Sequence, residues 1–466
     1  MKLSCPLKKI HFIGIGGIGM SAIAEMLDDL GISVQGSDAK ESANTLRVRK
    51  SGIPVFIGHK KENLKGADAV VISSAIKQDN PELEEARKQG IPIGHRSEML
   101  AEILNYKRSI CISGTHGKTT TSSLLASILL QAKWNPSFVI GGILNSQSSN
   151  ARLGKGDYVV VEADESDGSF LKLPTTISVV TNIDPEHMDH YKTFENMKKA
   201  YRLFIKNTAF YGFSVVCTDH LVVKEVIADI ETRRIVTYGL NKAADVHADN
   251  IRSLKNGIVF DAFVRNGAKF KKIKDVKLAM FGKHNVSNAL AAMAVALRLG
   301  IKESVIKKAL ARFEGIQRRL TLRGALSKVN VYDDYAHHPI EIEATLKAVH
   351  ESISGKIVSV FQPHRYSRFR DLWDEFLTCF DAADEVYVMD VYGAGEQLIA
   401  GTTAPSFVEA MRSKGKKVHY LPSIDGVKEI ASQLDKEDAI VCLGAGSISS
   451  EIIRAKIDTS RGVFAP

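Results

Sequence analysis

Cysteine is scarce: five residues (5, 111, 217, 379 and 442) in a chain of 466, with no C-x-x-C pair among them. That spacing excludes a disulfide framework and a zinc knuckle, and it fits a reducing compartment. No stretch approaches the ~18 uninterrupted apolar residues that a bilayer span requires. The opening passes almost at once from PLKK into an apolar strand, so no signal peptide and no membrane association are expected. There is no solenoid repeat and no low-complexity tract. Lysine and arginine outnumber acidic residues, 62 to 53, but the two signs are interspersed and the basic clusters KFKKIK (269–274) and KGKK (414–417) are short. Without a long basic arm or aromatic–basic interleaving, nucleic acid is not an expected partner; small anionic substrates are.

What is present is an α/β pattern that starts three times. Over residues 8–105 the apolar runs KIHFIGIG, ISVQGSD, ADAVVISSAI and IPIGHR alternate with SAIAEMLDDLG, ESANTLRVRKSG and NPELEEARKQG, which carry helical spacing. A second unit follows, with strands at RSICISG, YVVVEAD, TISVVTNI and SVVCTD. It continues into a hairpin-like stretch marked by Asn-Gly pairs at 256–257 and 266–267, then the alanine-rich helix HNVSNALAAMAVALRLG. KVNVYDDYA, KIVSVFQP, EVYVMDVY, KVHYLP and AIVCLGAGS make a third set of strands. The expected architecture is three α/β domains, 1–106, 107–320 and 321–466, the outer two Rossmann-like and the middle one of P-loop type.

The chemistry gathers at strand ends. In HFIGIGGIGMSA, Gly14, Gly16 and Gly19 form G-x-G-x-x-G, with Gly17 inside it and Asp38 closing the next strand. This is a dinucleotide-binding fingerprint: a tight turn, bare backbone for a diphosphate, and an acid for a ribose. A second phosphate loop, SGTHGKTTT, comes about a hundred residues later and supplies Gly114, Thr115, His116, Gly117, Lys118, Thr119 and Thr120. Backbone amides at a helix start would cradle phosphates, Lys118 would reach the β- and γ-phosphates, and the Thr119 hydroxyl would ligate Mg²⁺. The spacing is shorter than the usual P-loop, because Ile112 stands where its first glycine belongs.

YVVVEADESDGSF ends an apolar strand in Glu162, Asp164, Glu165 and Asp167, carboxylates suited to Mg²⁺ beside a phosphate loop. In TNIDPEHMDH, His187 and His190 would also suit zinc, but oxygen-rich surroundings favour Mg²⁺ chemistry. Asn285 and Asn288 stand one turn apart at a helix start, where they could read an adenine edge or cap the helix. His364, Arg365, Arg368 and Arg370 make a dense cationic group, readable as a salt-bridged loop or as an anion clamp.

Taken in order, GIGGIGMSA, SGTHGKTTT, EADESD, TNIDPEHMD, HNVSNALAA, QRRL, DDYAHHP and QPHRYSR resemble the Mur ligases of peptidoglycan synthesis, from about residue 8 to about 450. GTHGKTT and EADESD together are highly specific; the glycine-rich opening alone is not. The resemblance implies a first domain that grips the UDP of a sugar nucleotide rather than NAD, a central ATP-binding domain, and a C-terminal domain that helps to bind substrate and amino acid. The implied cofactors are ATP and Mg²⁺, and the implied substrates are UDP-N-acetylmuramate and L-alanine, joined through an acyl phosphate in the bacterial cytoplasm. Carried over by position, Lys118 would hold the terminal phosphates while Thr119, Glu162 and His187 ligate two Mg²⁺ ions. Asn285, Asn288 and Arg318 would contact ATP. Gly14, Gly16, Gly17, Gly19, Asp38, Ser73, Ser74, His337, His364, Arg365 and Arg368 would face the substrate, with Arg368 counted among the catalytic groups. One departure is visible: Glu186 precedes His187 where the family commonly has Asp. The base that deprotonates the amine is unassigned, and so is the oligomeric state. Alternatives are a recycling ligase that adds a preformed peptide, a nicotinamide-dependent oxidoreductase built on the first loop, and an ATPase switch.

Overall fold

The fold is taken from a computed structural model, which describes residues 7–454 except 148, 255 and 256. Cys5 and Asn256, and with Asn256 the first of the two Asn-Gly pairs, lie outside the described residues.

Three sheets correspond to the three α/β restarts. The first contains β1 (Lys9–Ile13), β2 (Ser33–Asp38), β3 (Val55–Ile57), β4 (Ala69–Ile72) and β5 (Ile93–His95), ordered β3-β2-β1-β4-β5 and parallel throughout. The second contains β6 (Arg108–Ser113), β7 (Ser137–Leu144), β8 (Ser149–Arg152), β9 (Tyr158–Glu162), β10 (Ile177–Val180), β11 (Phe213–Cys217), β12 (Ile235–Gly239), β13 (Val246–Leu254), β14 (Gly257–Asn266) and β15 (Lys269–Leu278). Its order is β15-β14-β13-β12-β11-β10-β6-β9-β7-β8. The third contains β16 (Thr321–Leu326), β17 (Val329–Asp334), β18 (Ile357–Phe361), β19 (Glu385–Val388), β20 (Val418–Tyr420) and β21 (Ala439–Leu443), ordered β16-β17-β21-β18-β19-β20.

Several elements were not legible from sequence pattern. β3 is only three residues long, β7 is interrupted by two glycines, and β16 runs antiparallel to β17 where only parallel α/β units were expected. Helices Arg96–Leu104 and Phe194–Lys206 also went unread, although each carries a cap: Glu98 closes a capping box on His95, and Thr193 accepts from the Asn196 amide. The second Asn-Gly pair does mark a turn. Gly267, at φ +62°, lies in the two-residue connection that folds β14 back onto β15.

Contact density divides the chain into two compact units. One comprises 1–250, 260–276 and 287–313; the other comprises 251–259, 277–286 and 314–466. In the first, helix Ile18–Asp29 packs on β7 and β8, so Ile23 and Leu27 share one core with Val139, Ala151 and Val161. Helix Lys118–Gln131 is buried on nearly every side, which explains its run of apolar and small residues. In the second unit, alternate residues of β21 serve opposite faces. Ala439, Val441 and Leu443 join Phe361, Phe369 and Phe407, whereas Ile440 and Cys442 join Val331, Val358 and Val427. Among the described residues, no helix is long and apolar enough to cross a membrane.

Candidate active site

In the first unit the second phosphate loop bridges β6 and helix Lys118–Gln131, at the carboxyl ends of β6, β9 and β10. Strand connections change direction around β6, which is where open parallel sheets bind their ligands. Ile112, the residue that breaks the usual P-loop spacing, is wholly buried in β6, so the loop proper starts at Gly114. Both loop glycines are required. Gly114 has φ +139° and a β-carbon there would lie 1.9 Å from Thr181 Oγ1; Gly117 has φ +83° and its β-carbon would lie 2.5 Å from Asn288 Oδ1. The loop is tied to the segment after β10: the His116 amide donates to Asn182 Oδ1 (2.7 Å), Thr181 Oγ1 donates to the His116 carbonyl (2.6 Å), and the Asp184 amide donates to Thr115 Oγ1 (2.8 Å).

Two polar pairs meet beside this loop. Thr119 Oγ1 donates to Glu162 Oε2 at 2.9 Å, and the Gly141 amide of β7 donates to the same oxygen at 2.7 Å. Lys118 Nζ donates to Glu165 Oε1 at 2.9 Å, and His187 Nε2 lies 3.6 Å from that oxygen and 3.6 Å from Glu186 Oε2. Burial works against the charge on Lys118, but Glu165, Glu162 and Asp164 outweigh it and raise its pKa. Burial likewise lowers the basicity of His187, and Glu165 reverses the sign so that its pKa is raised. Lys118 is therefore not a lysine on an exposed turn: it also donates to the carbonyls of Gly114 and Thr115. His187 caps the short helix Met188–Tyr191 at φ +57°. Thr120 is buried in the helix start, and Asn288 Oδ1 accepts from Thr121 Oγ1 at 3.2 Å, against the phosphate-loop helix.

The glycine-rich opening lies in the same unit. Gly14 has φ +81°, and the amides of Gly14 and Ile15 both donate to the Ser37 carbonyl (2.8 and 2.9 Å). Gly17 precedes helix Ile18–Asp29 as its N-cap. Asp38 Oδ2 accepts the Gly16 amide at 2.9 Å, so the acid braces the loop's own backbone. At Gly19 a β-carbon would lie 2.9 Å from Arg96 Nη1; the glycine makes room for that guanidinium, which in turn lies 3.8 Å from Asp164 Oδ2. Ser74 Oγ donates to Asp167 Oδ2 (2.6 Å) and contacts His95 Nε2 (3.2 Å), while the Ser73 carbonyl accepts the Ile76 amide in the neighbouring turn. Burial would raise the Asp167 pKa, but hydrogen bonds from Ser169 and Ser74, with the charge of Arg96, hold it at about 2.

The second unit gathers the remaining sequence-selected residues. Arg318, at φ +61°, donates to the Gly444 carbonyl (2.6 Å) and sits 4.7 Å above the Tyr335 ring. His337 Nδ1 contacts the Tyr335 carbonyl (3.0 Å), and its ring stands 5.9 Å from that of His364. His364 stacks on Tyr392 and meets Arg368 Nη1 at 3.4 Å; Arg365 starts helix Tyr366–Asp371 at φ +68°. Burial, joined by Arg368 and Arg365, pushes the His364 pKa down to about 4; burial pushes that of His337 down to about 3. Arg370 does not join this group: it is exposed and paired with Asp371 at 2.6 Å, the salt-bridged alternative. Asn285 donates through Nδ2 to the Phe281 carbonyl (2.8 Å) at the start of helix Lys283–Arg298.

His95, Arg96 and Gly141 were not singled out as site residues by sequence, and Glu165 was named among the acidic group without a role of its own. Glu165 was visible inside EADESD, and paired glycines inside an apolar strand, as at 141–142, signal a close backbone approach. On the β14–β15 hairpin two basic side chains lie over aromatic rings of the same hairpin. There Arg265 lies 4.6 Å from the Phe270 ring centre and Lys272 lies 5.4 Å from that of Phe263.

Comparison with known proteins matches this arrangement along its length. Residues 9–108 match the Mur ligase family, catalytic domain; residues 112–296 the Mur ligase middle domain; and residues 318–446 the Mur ligase, glutamate ligase domain. A UDP-N-acetylmuramate–L-alanine ligase from Chelativorans sp. is 50% identical over 453 residues, 96% of this chain and 97% of that protein. One from Bradyrhizobium sp. (strain BTAi1) is 51% identical over the same shares. The crystal structure of a UDP-N-acetylmuramate–alanine ligase from Thermotoga maritima superposes with a TM-score of 0.82 at 30% identity, covering 96% of this chain and 98% of that one. A murein peptide ligase from Psychrobacter arcticus shares the fold, with a TM-score of 0.71 at 23% identity, covering 96% of this chain and 98% of that one. The chain belongs to the Mur ligase family, and it is an ATP-dependent ligase.

Proposed function

We propose that this ligase joins L-alanine to the lactyl carboxylate of UDP-N-acetylmuramate, in the cytoplasm of a bacterium. The observation that carries the chemistry is the convergence of Lys118, Thr119, Glu162, Glu165 and His187 around one phosphate loop. The identity of the substrates rests on relatives about half identical over nearly the whole chain. In this reading residues 1–106 hold the uridine diphosphate on the first glycine-rich loop, 107–320 bind ATP, and 321–466 bring His337, His364, Arg365 and Arg368 to the substrate.

The donor set suits Mg²⁺. A threonine hydroxyl and a carboxylate converge within 2.9 Å, and hard oxygen donors are what a hard cation takes. Thr119, Glu162 and His187 would between them hold two such ions, which when bound would supply charge neutralisation for the phosphate oxygens. The chain's own part is positioning. The amides of the Gly114–Gly117 turn and the start of helix Lys118–Gln131 orient the phosphates, and Lys118 neutralises charge on the terminal one. The lactyl carboxylate attacks the γ-phosphorus, giving ADP and an acyl phosphate. The alanine amine then attacks the acyl carbon, and phosphate leaves. Asn288 supports the loop from behind, and Arg318 and Asn285 remain candidates for the nucleotide.

Phosphate release from ATP in the presence of UDP-N-acetylmuramate tests this, comparing L-alanine with glycine, L-serine and a tripeptide. L-alanine should give the highest kcat/KM. A preference for the tripeptide would make the chain a recycling ligase instead.

A further inference from the structure

The first unit contains a carboxylate that the reaction does not use. Glu82, in the first turn of helix Pro81–Lys88, is fully buried. Its Oε2 accepts from Ser37 Oγ (2.5 Å) and lies 3.2 Å from His11 Nε2; its Oε1 accepts from Asn63 Nδ2 (2.5 Å) and from the Lys60 amide (3.1 Å). The protons can be assigned from the surroundings. Gln35 Nε2 lies 3.3 Å from His11 Nδ1 and carries only hydrogens, so Nδ1 accepts and Nε2–H donates to Glu82. Ser37 spends its single hydrogen on Glu82 and therefore accepts at Oγ from His59 Nδ1, 3.0 Å away. Hydrogen bonds outweigh the burial that would raise the Glu82 pKa and hold it at about 2, so the group is a carboxylate.

Ser37 is the pivot. Its side chain is fixed by Glu82, and its carbonyl takes the amides of Gly14 and Ile15; the next residue, Asp38, takes the amide of Gly16. Three consecutive amides of the glycine-rich turn thus hang on two residues of β2, and the first of these is held by one buried carboxylate. We propose that Glu82 is a positioning residue for the glycine-rich loop, acting through Ser37 to set the turn that receives the diphosphate of the sugar nucleotide. This rests on the reading of that loop as the diphosphate site.

In Glu82→Gln the amide nitrogen must face one pair of the four converging donors, Ser37 with His11 or Asn63 with the Lys60 amide, so the cluster that fixes Ser37 is broken on one side. Because the misplacement falls on a binding loop remote from the γ-phosphate, the KM for UDP-N-acetylmuramate should rise roughly tenfold or more. The KM for ATP and for L-alanine, and kcat, should each stay within about twofold, since their sites do not hang on Ser37. Ser37→Ala removes the same link with little change in volume. It should shift the same constant in the same direction, and it serves alone if Glu82→Gln does not fold. Gly16→Ala is the control for the loop itself, because its β-carbon would lie 2.7 Å from Thr45 Cγ2 and 2.8 Å from Asp38 Oδ2. If Gly16→Ala raises the sugar-nucleotide KM while the folded variants at 82 and 37 leave it unchanged, the positioning role is overturned and the loop reading stands. If Gly16→Ala also leaves it unchanged, the loop reading fails, and the inference with it.

Discussion

Gly117 and Asn288 are in van der Waals contact across the start of the phosphate-loop helix, with no space for a β-carbon between them. One built at Gly117 would lie 2.5 Å from Asn288 Oδ1, and the glycine's φ is +83°. Sterics and backbone conformation therefore demand the same residue, and Asn288 in turn accepts the Thr121 hydroxyl. Gly117→Ala should lower stability by about 1–3 kcal/mol through strain and crowding. ATP affinity should fall more than the affinity for the sugar nucleotide; thermal melting with each ligand separates the two effects.

Lys118→Ala should reduce kcat by at least ~10²-fold, the size of a lost electrostatic contact to a developing charge. It should also destabilise the protein, because Glu165 is fully buried and its Oε1 would lose the 2.9 Å ammonium contact. Adding Glu165→Gln to Lys118→Ala should restore part of the melting temperature without restoring turnover. Full activity in either variant would remove Lys118 from the phosphate site.

Glu162→Gln replaces the oxygen that both Thr119 and Gly141 address with a group that ligates hard cations poorly. The Mg²⁺ concentration for half-maximal activity should rise by about tenfold or more. A Mg²⁺ titration that superposes on that of the parent protein would rule out Glu162 as a ligand.

Two buried histidines of the second unit should make it acid-sensitive, an effect partly offset by Asp334, whose carboxyl is pushed by burial up to about 6 so that the folded state takes up that proton more readily. Burial depresses His364 to about 4 and His337 to about 3, below the ordinary 6.5. The unfolded chain therefore takes up protons that the folded one refuses. The histidine contribution to stability is complete above pH 6.5 and declines as the pH falls towards the folded values. At pH 5 each histidine should contribute a loss of about 2 kcal/mol. Melting temperatures of the parent and of His337→Gln between pH 7.5 and 5 check the sign: the variant's curve should be flatter.

Strand and helix placement was largely legible because it depends on neighbours in the chain. β6, β9, β10 and β21 are short apolar runs, and the helix at 283–298 ends in a glycine just beyond it. Both phosphate loops were also legible, since a strand, spaced glycines and a helix start are local features. β3 and β7 were not: one is too short to show a period, and the other has its apolar pattern broken by glycines.

By itself, then, the sequence determined the α/β class, the three restarts, and which strand ends carry the phosphate-binding and acidic residues. Only the tertiary structure decided which of those groups meet. EADESD holds four carboxylates, but burial and packing assign Glu162 to Thr119, Glu165 to Lys118 and His187, Asp164 to Arg96, and Asp167 to Ser74. Arg368 turns towards His364 while Arg370, two residues on, pairs with Asp371 in solvent. Asp38 is carried to the Gly16 amide by the parallel pairing of β1 with β2. Spacing along a chain sets which face of an element a side chain occupies; the partner on that face comes from strands and loops tens of residues away, and sheet order and register alone bring it within hydrogen-bonding distance.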